Sequence, residues 1–149
     1  MSFEEIRVIT VVYLAVFLPL LIYWKYKSRL PKWIPSFYII SLVVCSLGWE
    51  LWFTYGWLDG DPVDLRRSEN LNKWLPKDIN WLLNSMGDAG AVLLGGTWLM
   101  WITHKKNLMI FKKWNWTAFV VLYIWCVSQN IFVEMFLYHD QLADGKPLS

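Results

Sequence analysis

Cysteine and histidine are scarce, with two of each among 149 residues. Cys45 and Cys126 both fall inside apolar runs, whereas a disulfide framework needs more cysteines, placed in exposed loops. They read as free thiols buried as small hydrophobes. Also missing are a Gly-rich phosphate loop, a zinc-ligand pairing and a paired-histidine metalloprotease helix. Internal repeats and low-complexity stretches are missing too. The net charge of +2 is too small to mark a nucleic-acid binder.

Apolar residues are in excess. The chain is 56% hydrophobic, 18% aromatic and 17% charged, against roughly 45–50% apolar in soluble domains. The excess collects in four runs, Val8 to Trp24, Ile34 to Leu58, Asn80 to Thr103 and Trp116 to Tyr138. Each falls within the spanning range of about 17–25 residues. The pattern predicts an all-α integral membrane protein: one membrane domain over 1–149, folded as a four-transmembrane-helix bundle. The N-terminal flank Met1-Ser2-Phe3-Glu4-Glu5 is acidic, unlike a signal peptide, so the first run reads as a retained helix. Pro19 is expected to kink it, a fault that neighbouring helices repair in a membrane. The ending at Ser149 is abrupt, so the chain could be a fragment.

Charge sets the expected orientation. The first connection carries Lys25, Lys27, Arg29 and Lys32, and the third carries Lys105, Lys106, Lys112 and Lys113, both without an acid. The positive-inside rule puts these two on the cytoplasmic side. The mixed connection 59–79 then lies outside with both termini, as in a bacterial inner membrane or its equivalent. Most of the 12 tryptophans fall near one boundary or the other, as aromatic belts do. Trp49, Trp52 and Trp125 sit deeper, where packing or a ligand pocket would explain them.

Three acids interrupt the runs: Glu50, Asp88 and Glu134. Counted from the outer ends of their helices at about 1.5 Å per residue, they lie roughly 9–15 Å below the outer surface. No Lys or Arg shares that layer. Each belongs to a polar stripe at a spacing of four: Ser46, Glu50 and Thr54; Asn80, Asn84 and Asp88; Cys126, Asn130, Glu134 and Tyr138. Residues at that spacing share a helix face, and hydrocarbon cannot satisfy them, so the stripes should face one another. Gly87, Ala91 and Gly95 form a small-residue seam that would admit another helix, from this chain or a membrane-protein partner.

Glu50, Asp88 and Glu134 are therefore the candidate catalytic residues. Trp49, Trp52, Asn80, Asn84, Asn130 and Tyr138 are the candidate ligand-binding residues. Carboxylates and tryptophan faces both stabilise cations. The expected ligand is an apolar, lipid-like molecule that carries or develops positive charge. The pairing of acids with aromatics is similar in chemistry, not in family motifs, to sterol isomerases of the emopamil-binding type. A second reading is a non-catalytic accessory subunit whose polar stripes and small-residue seam bind a larger membrane complex; structurally, the acids could also be protonated or hydrogen-bonded and simply hold the helices together. A third is a carboxylate-rich metal or cation site with His139 nearby; His104 lies at the opposite boundary, and the donor set suits neither zinc nor copper. Asp59-Gly60-Asp61-Pro62 lacks the later ligands of a calcium loop and reads as a turn. Asn115-Trp116-Thr117 fits a glycosylation acceptor but falls on the basic side, where it reads as chance. Connection 59–79 exceeds the usual link between bundle helices and lies above the acid layer, where it could form a lid or a docking loop.

Overall fold

The first apolar run is longer as a helix than as a hydropathy pattern. Ser2 Oγ accepts from Glu5 N (3.1 Å) and Ser2 N donates to Glu5 Oε2 (2.7 Å). This reciprocal capping box satisfies two orphan donors and starts α1 (Phe3–Tyr26) ahead of Val8. The computed structural model describes residues 1–58, 61–62, 67–133 and 135. Over these the chain is all-helical but for a two-residue antiparallel pairing of β1 (Trp57–Leu58) with β2 (Asp61–Pro62). Two segments, 3–29 and 34–55, are long and apolar enough to cross a membrane. The third apolar run is not among them; its first half carries Asn80, Asn84 and Asp88. The fourth is described as helix only over α7 (Trp116–Phe132).

The second run is not one helix. It divides into α2 (Ile34–Leu47) and α3 (Trp49–Tyr55) at Gly48. Gly48 leaves helical geometry (φ −91°, ψ −118°) while its N–H still donates to Val44 O at 2.9 Å. A methyl group on Gly48 would sit 2.6 Å from that same oxygen, so glycine fits this break and a side chain does not.

Connection 59–79 also differs from a plain loop. It contains α4 (Glu69–Trp74), capped by Ser68 Oγ accepting from Leu71 N, and the first turn of α5 (Lys77–Ala89). Leu71 and Leu75, at a spacing of four, pack against Val8 and Val12 of α1. Tyr13 Oη donates to Trp74 O (3.1 Å), and Ser68 Oγ donates to Glu5 Oε1 (2.5 Å). The Ser68 hydroxyl, followed by the Ser2 backbone N–H, holds the Glu5 carboxyl below its usual pKa. Arg67 bonds Asn72 Oδ1 (2.8 Å) and the Leu75 carbonyl, closing α4 from its other end.

The third rod is α5, a π-helical turn over Gly90–Gly95, and α6 (Gly96–Thr103). It is the common neighbour. Its first half packs on α1 and α2, its second half on α7. The small-residue seam is occupied within the chain. A Cβ on Gly87 would lie 3.2 Å from Ala15 Cβ, and one on Gly95 3.4 Å from the Trp125 indole. Gly90 meets Pro19, the buried proline of α1. Wide turns leave carbonyls poorly paired, and neighbours take them up: Trp125 Nε1 donates to Ala91 O (2.7 Å), and Thr97 Oγ1 to Leu93 O (2.5 Å).

At the basic end, Leu30, Ile34, Leu94 and Trp101 form a second core with Tyr26, Tyr38, Trp98 and Phe111 around it. A 3-10 turn, Leu108–Phe111, leads toward α7. Asn115 is the cap of α7, its Oδ1 accepting from Ala118 N (3.0 Å) and Thr117 Oγ1 (2.7 Å). The Asn-Trp-Thr triplet thus has a structural role as an N-cap.

Candidate functional site

Asn80, Asn84 and Asp88 all lie in α5 without a break, so their spacing of four keeps them on one face. That face meets α2 and α3. The break at Gly48 makes Glu50 part of the first turn of α3. Its side chain is buried, at 7% exposure. Across the interface, the Asn84 side chain and the Asp88 carboxylate are close enough to act on its charge. Glu50 Oε2 has no hydrogen-bond partner among the described residues. Cys45, buried one turn earlier, lies within electrostatic reach of both acids.

Asp88 is half-buried, and its Oδ2 accepts from Trp49 Nε1 at 2.7 Å. One indole N–H therefore reaches across from the residue preceding Glu50. Asn80 and Thr54 are buried as well, toward the Tyr55–Asp78 end of the same interface. The structure thus gathers Glu50, Asp88, Trp49, Asn84 and Asn80 where α3 faces α5.

Two candidates stand apart. Trp52 is 65% exposed. Successive residues on a helix are about 100° apart, so only one neighbour flanking Glu50 in sequence can readily share its side, and Trp49 does. Asn130 is exposed and donates its amide to Cys126 O (2.8 Å) within its own helix. That bond satisfies the side chain locally and removes the need to face a polar interior. Glu134, Tyr138 and His139 lie outside the described residues. Among the described residues no three His, Cys, Asp or Glu side chains converge to hold a metal ion.

The same interface carries polar contacts that stripe-counting missed. Tyr55 Oη donates to Asp78 Oδ1 (2.7 Å), and Trp81 Nε1 donates to Ser46 O (2.8 Å). The Tyr55 and Trp81 rings meet edge to face, centroids 6.2 Å apart, and Lys77 Nζ lies 5.2 Å from the Tyr55 centroid. The missed signal was antiparallel arithmetic. If Glu50 opposes Asn84, then Tyr55, five residues further along α3, falls opposite residues near 78. The result is a polar ladder running from Tyr55–Asp78 to Trp49–Asp88. It can accept hydrogen bonds, receive a proton or oppose a cation at Glu50 and Asp88.

Comparison of the chain with protein-family models, curated proteins and solved structures gives no match.

Proposed function

We propose that this chain spans a membrane as a bundle of four helices, with both termini and α4 on the non-cytoplasmic side. We further propose that the Glu50–Asp88 layer binds an apolar, lipid-like molecule carrying or developing positive charge. The observation that carries the reading is an inversion of the usual burial pattern. Glu50 is 7% exposed with one oxygen unpartnered, while Leu21 and Leu47 are about two-thirds exposed, at 66% and 65%. In water such apolar surface is an association hazard. In hydrocarbon it is the favourable outer face, and an intramembrane carboxyl is then a functional site by default. The capped start of α1, where Val8 and Val12 are covered by Leu71 and Leu75, serves as the outer cap of the bundle.

The ligand class follows from what surrounds the acids. No described contact brings a Lys or Arg to Glu50, and the Trp49 indole N–H goes to Asp88, so Glu50 Oε2 is an acceptor without a donor among the described residues. A hydrophobic ammonium would supply that donor and its charge. The test uses purified protein in detergent, with N,N-dimethyldodecylamine as probe and dodecanol as neutral counterpart. Wild type is expected to bind the amine at least tenfold more tightly than the alcohol, about 1.4 kcal/mol. Glu50→Gln and Asp88→Asn keep shape but remove ionisation, and both are expected to erase the preference while preserving helical content. Equal binding of amine and alcohol to wild type would defeat the ligand reading. The accessory-subunit alternative draws on α7, whose Phe119, Tyr123, Ile124 and Ile131 are exposed. It gains the field if both acid variants bind like wild type and the protein purifies as part of a larger complex.

A further inference from the structure

The end of the molecule opposite the acids has its own cavity. It measures about 350 Å³ and is lined by Pro31, Lys32, Trp33, Leu108, Phe111 and Lys112. Two connections distant in sequence build it. The first turns at Pro31 into α2, and the third supplies the 3-10 turn Leu108–Phe111. The Trp33 and Phe111 rings meet edge to face at 6.1 Å and hold its apolar wall. Lys32 and Lys112 are exposed at its rim. No Asp or Glu occurs anywhere in 24–36 or 103–117, so neither connection supplies a counterion.

An apolar track leads away from this cavity. Trp33 stacks edge to face on Phe37 at 5.2 Å. Phe37, Ile40 and Val44 continue along one face of α2, all exposed. From Trp33 to Val44 the track runs roughly 16 Å at 1.5 Å per residue, about half of a hydrocarbon core. Two lysines at the rim of an aromatic-walled cavity, continuous with a half-bilayer's length of apolar surface, match one kind of molecule at both ends. We infer that this cavity binds the headgroup of an anionic phospholipid, whose acyl chain lies along Trp33, Phe37, Ile40 and Val44. Charge complementarity decides the headgroup, since basic pockets on the cytoplasmic side of membrane helices take anionic lipid heads. The track decides for a lipid over a soluble phosphate, which would gain nothing from it.

The inference rests on the membrane reading above, though not on the acid site. The experiment titrates detergent-solubilised protein with phosphatidylglycerol and with phosphatidylcholine of equal chain length, counting bound lipid by native mass spectrometry. Phosphatidylglycerol is expected to bind about tenfold more tightly. Lys32→Gln with Lys112→Gln is expected to weaken it by about 30-fold, each ammonium near a lipid head being worth about fivefold. A charge-matched control, Lys25→Gln with Lys105→Gln, is expected to stay within about threefold, because salt screens charges not in contact. Equal affinity for the two lipids in wild type overturns the proposal without calling on any variant. So does an equal loss in both double variants, or displacement of the lipid by equimolar glycerol phosphate. If the protein instead stays folded and monomeric in water without detergent, the membrane reading and the lipid site fall together. A protein that needs detergent yet shows no lipid preference loses only the lipid site.

Discussion

One helix, α5, meets two neighbours by opposite means. Toward α1 it presents Gly87, with Gly90 of the following wide turn, and the contacts are to Ala15 and Pro19. Toward α2 and α3 it presents Asp78, Trp81 and Asp88, and the contacts are hydrogen bonds. The first face works by the absence of atoms. Small residues let backbones approach until dispersion acts over many pairs. The second works by the placement of a few polar groups that bond one another across the interface. Size should therefore be the sensitive variable on one face and hydrogen bonding on the other.

The largest separation is expected at Gly87. Gly87→Leu pushes Ala15 away and is expected to destabilise by about 3 kcal/mol, the upper part of the overpacking range. Gly87→Ala is expected to be nearly neutral. Its Cβ would stand 3.2 Å from Ala15 Cβ, a crowding offset by the helix preference for Ala over Gly of about 1 kcal/mol. Denaturation in mixed micelles, followed by circular dichroism, measures both. A Leu variant as stable as wild type would mean that α1 and α5 are not in close contact.

On the polar face the expected change is smaller and of a different kind. Asp88→Leu takes the acceptor from Trp49 Nε1 and is expected to lose about 1 kcal/mol, typical of hydrogen bonds between membrane helices. Asp88→Asn retains a carbonyl oxygen for that N–H and is expected within about 0.5 kcal/mol of wild type. The same unfolding assay, with indole fluorescence added, distinguishes them. If Asn proves as damaging as Leu, charge rather than the hydrogen bond holds this interface.

The smallest effect is expected at the capped start of α1, where α4 meets it. The Glu5 carboxyl is lowered below its usual value of 4.5, chiefly by the Ser68 hydroxyl. A lowered carboxyl contributes stability that is present above the unfolded pKa and lost as pH falls through the folded one. Protection of the Leu71 amide against hydrogen exchange should therefore be flat at neutral pH and decline below about 4.5. Glu5→Gln is expected to flatten that decline. A Leu71 amide insensitive to pH in wild type would show that the Glu5–Ser68 contact does not hold α4.

Sequence patterning reached parts of this architecture through particular residues. Asn80, Asn84 and Asp88 could be assigned to one face because α5 is regular across all three. The acid-free lysine clusters marked one end because net charge needs no geometry. Gly48 escaped notice because the hydropathy on both sides of it stays high, and periodicity cannot register a break between two apolar helices. The wide turn at Gly90–Gly95 is set by tertiary partners, Pro19 on one side and Trp125 on the other, which no local window contains. The helix α4 did leave a trace: Ser68 as a cap, with Leu71 and Leu75 one turn apart. The mixed charge of the connection masked it. Within the site, Trp52 and Asn130 show the limit of reading proximity from neighbours in sequence. Angle on the helix governs the first, and a local carbonyl governs the second.

The wide turn in the third rod has a genetic meaning. A π turn holds one residue more than the regular helix it replaces, so the segment 90–95 carries the equivalent of a surplus codon. Removing one codon there would tighten the turn to α-helix and leave Asn84 and Trp101 aimed as they are. Removing one anywhere in α5 would swing everything beyond it by about 100°. The gene is thus unequally tolerant of length change along one helix. Its permissive stretch is the one whose loosened carbonyl, Ala91 O, Trp125 now holds.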